Sequence, residues 1–229
     1  MKTIGIIGGM SAASTQIYYR TLVDLTRQRL GGLHSPEVLL RSIDFAPIAD
    51  AQAVGDWDWM GAEMNRHALA LQNGGAELMI LATNTMHKLQ AQMLDGIDIP
   101  FLHIADATAQ AITKAGHKRP ALMATAFTME QAFYTDRLRA AGLDPLIPDE
   151  ADRAQIHQII YDELCKDITT EASQQAYIAI AERLRDAGAD SLILGCTEVG
   201  MLLNAENCPL PVFDTALIHC EATLDMALA

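Results

Sequence analysis

Two stretches of this chain are copies of each other, and they differ at the position best suited to chemistry. Gly75-Ala76-Glu77-Leu78-Met79-Ile80-Leu81-Ala82-Thr83-Asn84-Thr85 is echoed by Gly188-Ala189-Asp190-Ser191-Leu192-Ile193-Leu194-Gly195-Cys196-Thr197-Glu198. Further blocks repeat in the same order: Ile99-Pro100-Phe101 with Leu210-Pro211-Val212, Thr3 to Gly9 with Arg119 to Thr125, and Tyr18 and Leu22 with Tyr134 and Leu138. The offset stays near one value, so the chain reads as a duplication of a unit of roughly 110 residues and not as an array of short repeats. Whatever fold the first half adopts, the second must adopt too. Each copied strand is an apolar run ending in small polar residues, one on Cys196 and the other on Thr83. A two-fold arrangement would face these side chains across a cleft, a possible acid/base thiol opposite an unreactive hydroxyl.

The hydrophobic pattern gives the type of unit. Strand-like runs fall at 3–8, 37–44, 77–83, 100–104, 120–125, 191–195 and 210–213. Helical periodicity fills about 14–30, 56–73, 87–95, 105–116, 129–141, 149–165, 171–187 and 216–228. Alternating strands and amphipathic helices predict βα units on parallel sheets, and near-continuously apolar strands predict sheets covered on both faces. The expected architecture is α/β, with one half over 1–103, the other over 104–215, and the helix at 216–229 packing back on the first. Ser14 or Thr15 is expected to cap the first long helix, and Gly142 and Gly188 to end helices. Ligands of open α/β sheets bind at the carboxyl ends of the strands. Gly8-Gly9-Met10-Ser11, Thr83-Asn84-Thr85, Thr125 and Cys196-Thr197-Glu198 all lie there.

Composition removes several function classes. A 50% hydrophobic chain of 229 residues can bury a substantial core. Its net charge of −13 disfavours nucleic acid and anionic membranes as partners. No apolar run is long enough to span a bilayer, and the start reads as a strand with no secretory signal. Cys165, Cys196, Cys208 and Cys220 show no Cys-x-x-Cys spacing, which points to reduced thiols in a cytoplasm and away from zinc.

Cys196 is the main candidate for chemistry. At a strand end entering a helix, unpaired N–H groups and the dipole would draw its pKa towards neutrality and make it a base or nucleophile. A buried structural cysteine is the plain alternative. Its repeat partner Thr83 is too weak an acid to serve as a base unaided, but it can orient substrate or water, or simply cap a helix. Asn84, Thr85 and Thr197, with nearby N–H groups, form a natural carboxylate cradle, to which Gly8-Gly9-Met10-Ser11 and Thr125 add strand-end groups. The glycine spacing does not match a dinucleotide fingerprint, so no nucleotide cofactor is expected. His87, one turn past Thr83, either tunes a proton transfer or packs. Glu198 either bonds the site or favours a helix start. Gln52 and Lys166 occupy corresponding positions; Lys166 is a candidate for a second substrate carboxylate or a solvated lysine. The remaining histidines, including His103 and His219, show no ligand spacing.

These blocks resemble the aspartate/glutamate racemase family, which includes hydantoin racemases, maleate isomerases and arylmalonate decarboxylases. The resemblance rests on Gly8-Gly9-Met10-Ser11 with Ser14-Thr15 and Tyr18-Tyr19, Ala82-Thr83-Asn84-Thr85-Met86-His87, Gly195-Cys196-Thr197-Glu198, and Pro211-Val212-Phe213-Asp214-Thr215. It implies two similar α/β halves with the site between them, no pyridoxal phosphate, no metal, and commonly a homodimer. It also implies two cysteines flanking the substrate α-carbon, one removing the proton and the other returning it to the opposite face. This chain departs from that pattern at Thr83 and is most similar to the branch in which threonine replaces the first cysteine. The expected activity is cofactor-independent racemisation of aspartate or glutamate, with Cys196 and Thr83 catalytic. Met10, Gln52, Asn84, Thr85, Thr125, Lys166 and Thr197 are the expected substrate contacts, with His87 and Glu198 in support. The alternatives are a single-cysteine decarboxylase, isomerase or lyase acting on a small carboxylic acid, and a non-catalytic carboxylate binder.

Overall fold

A glycine at positive φ opens each of the copied strands, Gly75 at 96° and Gly188 at 97°. In both cases it turns the chain out of a preceding helix, a conformation that a side chain would strain. The computed structural model describes all 229 residues and divides them into two compact units, Met1–His103 with His219–Ala229, and Ile104–Ile218.

The first unit runs β1 (Ile4–Gly8), α1 (Ala12–Leu30), β2 (Val38–Ser42), α2 (Ala46–Val54), α3 (Trp57–Asn73), β3 (Leu78–Leu81), a 3-10 turn over Thr85–Leu89 and α4 (Gln90–Met93). Its parallel sheet has the order β2-β1-β3, and Phe101 extends it by a bridge to Met79. The second unit runs α5 (Ile104–Lys114), β4 (Pro120–Met123), α6 (Ala126–Glu130), α7 (Ala132–Ala140), α8 (Glu150–Asp162), a 3-10 turn over Leu164–Lys166, α9 (Glu171–Asp186), β5 (Ser191–Leu194), a 3-10 turn over Val199–Met201 and β6 (Val212–Asp214). Its sheet has the order β4-β5-β6, with Leu146 bridged to Ala121 on the outer side of β4. Helix α10 (Thr215–Leu228) follows β6; the chain from His219 to Ala229 belongs to the first unit, where Lys2 N donates to Ala227 O at 2.8 Å.

The repeat persists at the level of single hydrogen bonds. Glu77 N donates to Thr3 O at 2.9 Å, as Asp190 N does to Arg119 O at 3.0 Å. Ala82 N donates to Ile7 O at 2.8 Å, as Gly195 N does to Met123 O at 2.8 Å. Met79 N donates to Pro100 O, and Leu192 N to Pro211 O, both at 2.8 Å. Tyr18 and Tyr134, and Leu22 and Leu138, are all fully buried, and β1, β3, β4 and β5 are buried along their whole length. Each buried aliphatic side chain contributes about 1.5–3 kcal/mol of transfer free energy.

Two expectations need correction, and one helix has no counterpart among them. The run at 100–104 is a single bridging residue, Phe101, because α5 already starts at Ile104. Ser11 caps α1: its hydroxyl accepts from Ser14 N at 3.2 Å, while Ser14 and Thr15 lie inside the helix. Helix α2, with Pro47 in its first turn, was not legible as a periodic segment; its residues are too uniformly apolar to show a face.

Candidate functional site

In the first unit the strand ends are fastened to one another before any ligand is considered. Thr15 Oγ1 accepts from Gly9 N at 2.7 Å and donates to Ser11 O at 3.0 Å, and Ser14 Oγ donates to Ala82 O at 2.9 Å. These bonds tie α1 to the ends of β1 and β3. A Cβ on Gly8 would lie 2.5 Å from Thr15 Oγ1, and one on Gly9, where φ is 93°, would lie 2.1 Å from Ile43 O. The close approach that the paired glycines allow is therefore to the protein's own chain. Met10 is buried in the apolar cluster that also holds Ile48, Ala51 and Met86.

Thr83, Asn84 and Thr85 follow β3 directly and are all buried. His87 reaches back one turn and its Nδ1 bonds Thr83 O at 2.7 Å. A carbonyl only accepts, so Nδ1 carries the proton. The His87 ring packs against His103 at 4.5 Å, Phe101 at 5.5 Å and His219 at 5.8 Å between centroids. Burial first, then the two neighbouring imidazoles, hold its pKa well below the ordinary histidine value. A neutral His87 thus braces the backbone of Thr83, and its Nδ1–H is committed to the carbonyl and not to the Thr83 hydroxyl. His219 is fixed in turn: Tyr18 OH donates to its Nδ1 at 2.8 Å and its Nε2–H donates to Leu102 O at 3.1 Å. Burial pushes the His219 pKa down to about 4. Gln52, also buried, donates from Nε2 to Met86 Sδ at 3.4 Å.

The second unit places Cys196 just beyond β5, partly exposed. The helix expected after it is a three-residue 3-10 turn, Val199–Met201, too short to supply a helix dipole. The thiol instead donates to Glu198 Oε2 at 3.0 Å, and Thr197 Oγ1 donates to the same oxygen at 2.5 Å. Burial and the negative charge of Glu198 drive the Cys196 pKa well above its usual value, with Cys165 adding to the rise. This reverses the expectation of a pKa drawn down towards neutrality: Cys196 rests as a thiol. Because the Thr197 hydroxyl proton goes to Glu198, that group holds the carboxylate in place rather than facing outward as a cradle donor.

Sequence reasoning passed over the wall around this pair. Tyr161, Tyr177 and Cys165 lie within electrostatic reach of Cys196 and Glu198. Burial raises the pKa of both tyrosines and pushes that of Cys165 up to about 12. The available signal was position, since Cys165 directly precedes Lys166, the repeat partner of Gln52. Lys166 is exposed at the end of its 3-10 turn. Thr125, repeat partner of Gly9, caps α6 by accepting from Thr128 N at 3.4 Å. Each unit thus carries its own strand-end cluster, Thr83-Asn84-Thr85-His87 on one and Cys196-Thr197-Glu198 on the other.

Comparisons with known proteins agree with this architecture. The family model described as Asp/Glu/Hydantoin racemase matches residues 7–223. A crystal structure from Yersinia pestis, assigned provisionally to the Asp/Glu racemases, is 43% identical, covers 100% of both chains and has a TM-score of 0.92. An aspartate racemase homologue from Pyrococcus horikoshii is 30% identical, again over 100% of both chains, with a TM-score of 0.86. The broad specificity amino-acid racemase RacX of Bacillus subtilis is 23% identical over 99% of this chain and 98% of its own. By the extent of the family match and the identity to its relatives, this chain belongs to the Asp/Glu/Hydantoin racemase family.

Proposed function

We propose that the protein racemises an acidic amino acid, aspartate or glutamate, without a cofactor, and that Cys196 exchanges the α-proton while Thr83 stands on the opposite face of the substrate. The observation that carries this reading is the 3.0 Å bond from the Cys196 thiol to buried Glu198. A thiol so held is a proton donor at rest. To act as a base it must first pass its proton to solvent, which leaves two negative charges side by side; the thiolate then takes the Cα proton, and a water oriented by the Thr83 hydroxyl returns a solvent proton to the opposite face. A substrate that brings an ammonium group lowers that cost, so proton abstraction is favoured when an amino acid is bound. The carbanion formed at Cα is stabilised through hydrogen bonds to its carboxylate, the role assigned to Asn84, Thr85 and the backbone N–H groups at Met10, Thr125 and Thr197. Lys166 and Gln52 receive the side-chain carboxylate, one charged and one neutral. His87, its Nδ1 committed to Thr83 O, acts by fixing the Thr83 backbone. The family resemblance further supports a cytoplasmic homodimer, which sedimentation of the purified protein tests.

Chiral chromatography of L- and D-aspartate and L- and D-glutamate incubated with the enzyme tests the reading. Enantiomers have equal free energy, so kcat/KM must be equal in the two directions. Formation of the opposite enantiomer from either acid, abolished in Cys196→Ser, is the expected result; no enantiomer from any of the four discards the acidic substrates. The same resting thiol favours one competing chemistry, protonation by a single cysteine as in decarboxylation of a malonate. Release of carbon dioxide from a substituted malonate with no racemisation of amino acids would select that second reading.

A further inference from the structure

A cavity of about 430 Å³ opens beside the C-terminal end of β2, against α2 and α3. That volume falls in the range of small-ligand pockets, about 300–1,000 Å³. Its lining includes Arg41, Asp44, Pro47, Ile48, Trp59 and His67, all within the first unit and none of them proposed above to touch the racemase substrate.

The charges in it are arranged in an unusual way for a surface groove. Arg41 makes no ion pair. Its Nε donates to Nδ1 of His67 at 3.0 Å, and His67 is only 5% exposed. Arg66 Nη2 lies 3.3 Å from the other ring nitrogen, Nε2, so the imidazole is set between two guanidinium groups. Burial, Arg66 and Arg41 itself all lower the His67 pKa and keep it an acceptor. The guanidinium is thus oriented by a buried neutral group, which leaves its charge uncompensated and its two terminal nitrogens available as a fork. Asp44 lines the same cavity and is not paired with Arg41; one of its oxygens accepts from Ala46 N at 3.2 Å and the other is left over. The neighbouring Arg66 and Glu63 satisfy each other at 2.6 Å. What remains open is one cation, one anion, and an apolar part of the lining, in which Trp59 is 39% exposed and Ile48 is buried.

We propose that this cavity is a second, non-catalytic amino-acid site, which takes a zwitterion with an apolar side chain. The carboxylate meets the terminal nitrogens of Arg41, the ammonium meets Asp44, and the side chain lies against Trp59, Pro47 and Ile48. A simple anion would leave Asp44 repelled and a simple cation would leave Arg41 repelled, so both charges on one small molecule fit where either alone does not.

The test is two-dimensional NMR of the full-length protein titrated with L-leucine, followed at Arg41 Nε–H and the Trp59 indole N–H. Isocaproate, which lacks the ammonium, and isoamylamine, which lacks the carboxylate, serve as one-charge analogues. The expected result is saturable shifts at both nuclei with leucine, and binding weaker by about tenfold or more for either analogue and in both Arg41→Gln and Asp44→Asn. Well-dispersed amide spectra of the two variants show that they fold. Absence of saturable shifts at these nuclei overturns the proposal. So does isocaproate binding as tightly as leucine, which would mark an anion site only, or leucine affinity unchanged in Arg41→Gln.

Discussion

The two strand ends that close β3 and β5 share a backbone and differ in electrostatics. In both units a glycine at positive φ leads into the strand, the same three inter-strand bonds hold it, and a fully buried tyrosine stands at the corresponding place in the unit. On that common frame one unit sets Thr83 with its carbonyl bonded to a neutral, buried His87. The other sets Cys196 with its thiol bonded to a buried carboxylate. Duplication supplies the frame twice, and substitution of two or three side chains after the strand decides which group stands at the strand end. An acid/base role needs a group there that can exchange a proton: Cys196 supplies a thiol, whereas at the other end the neutral His87 has its Nδ1–H committed to Thr83 O.

The comparison breaks most sharply on activity. Cys196→Ser is expected to lower racemisation by about 10²–10⁴-fold, the usual worth of a positioned acid or base. Thr83→Val removes only an orienting hydroxyl and is expected to cost less; steady-state rates in both directions check the ranking, and equal losses would make the two ends functionally alike. Thr83→Cys is the converse experiment, since a second thiol on the shared frame should raise the rate of inversion.

Acid stability separates the units next. The folded pKa of His219 lies near 4 and that of His87 well below normal, whereas both titrate near 6.5 when unfolded. As pH falls below about 6.5 the unfolded chain binds protons that the native first unit does not, so stability is full above that value and is lost progressively down towards pH 4. The His219 part is worth roughly 3 kcal/mol. Hydrogen exchange of β1 and β3 amides between neutral pH and pH 4 should show this loss, and His219→Gln should flatten it. An equally steep loss for β4 and β5 would contradict the assignment.

Glu198→Gln sharpens the picture of the second unit. It removes the charge that holds the Cys196 proton, so the thiol pKa should fall and alkylation at mildly alkaline pH should become several-fold faster, as mass spectrometry of the Cys196 peptide would record. Unchanged or slower alkylation would mean that the carboxylate does not set the thiol's protonation. The smallest contrast is between the paired tyrosines. Tyr18→Phe breaks a 2.8 Å bond to buried His219 and should cost about 1–1.5 kcal/mol, while Tyr134 OH lies 3.5 Å from Thr108 Oγ1 and Tyr134→Phe should cost less. Denaturant unfolding of the two variants measures the difference.

The repeat made the sheets legible because backbone pairing depends on apolar runs and glycine positions, and both are plain in the sequence. It located Thr83 and Cys196 for the same reason. What it did not reveal was the polarity of the environment. Glu198 was visible as a neighbour of Cys196, but whether residues after a strand form a long helix or a single 3-10 turn depends on packing that local pattern does not encode. A helix would have lowered the thiol pKa; the turn brings the carboxylate onto the sulfur and raises it. The histidines at 87, 103 and 219 show no ligand spacing; the first two meet where Phe101 bridges to β3, and His219, far along the chain, joins them from α10.

The most direct test of the account is proton NMR of the enzyme in D₂O with L-aspartate and L-glutamate, following loss of the Cα–H signal while chiral chromatography follows the D-enantiomer. The account predicts deuterium at Cα accompanied by the opposite enantiomer, with both signals lost in Cys196→Ser. Deuterium incorporation with full retention of configuration, or exchange that survives Cys196→Ser, would contradict it.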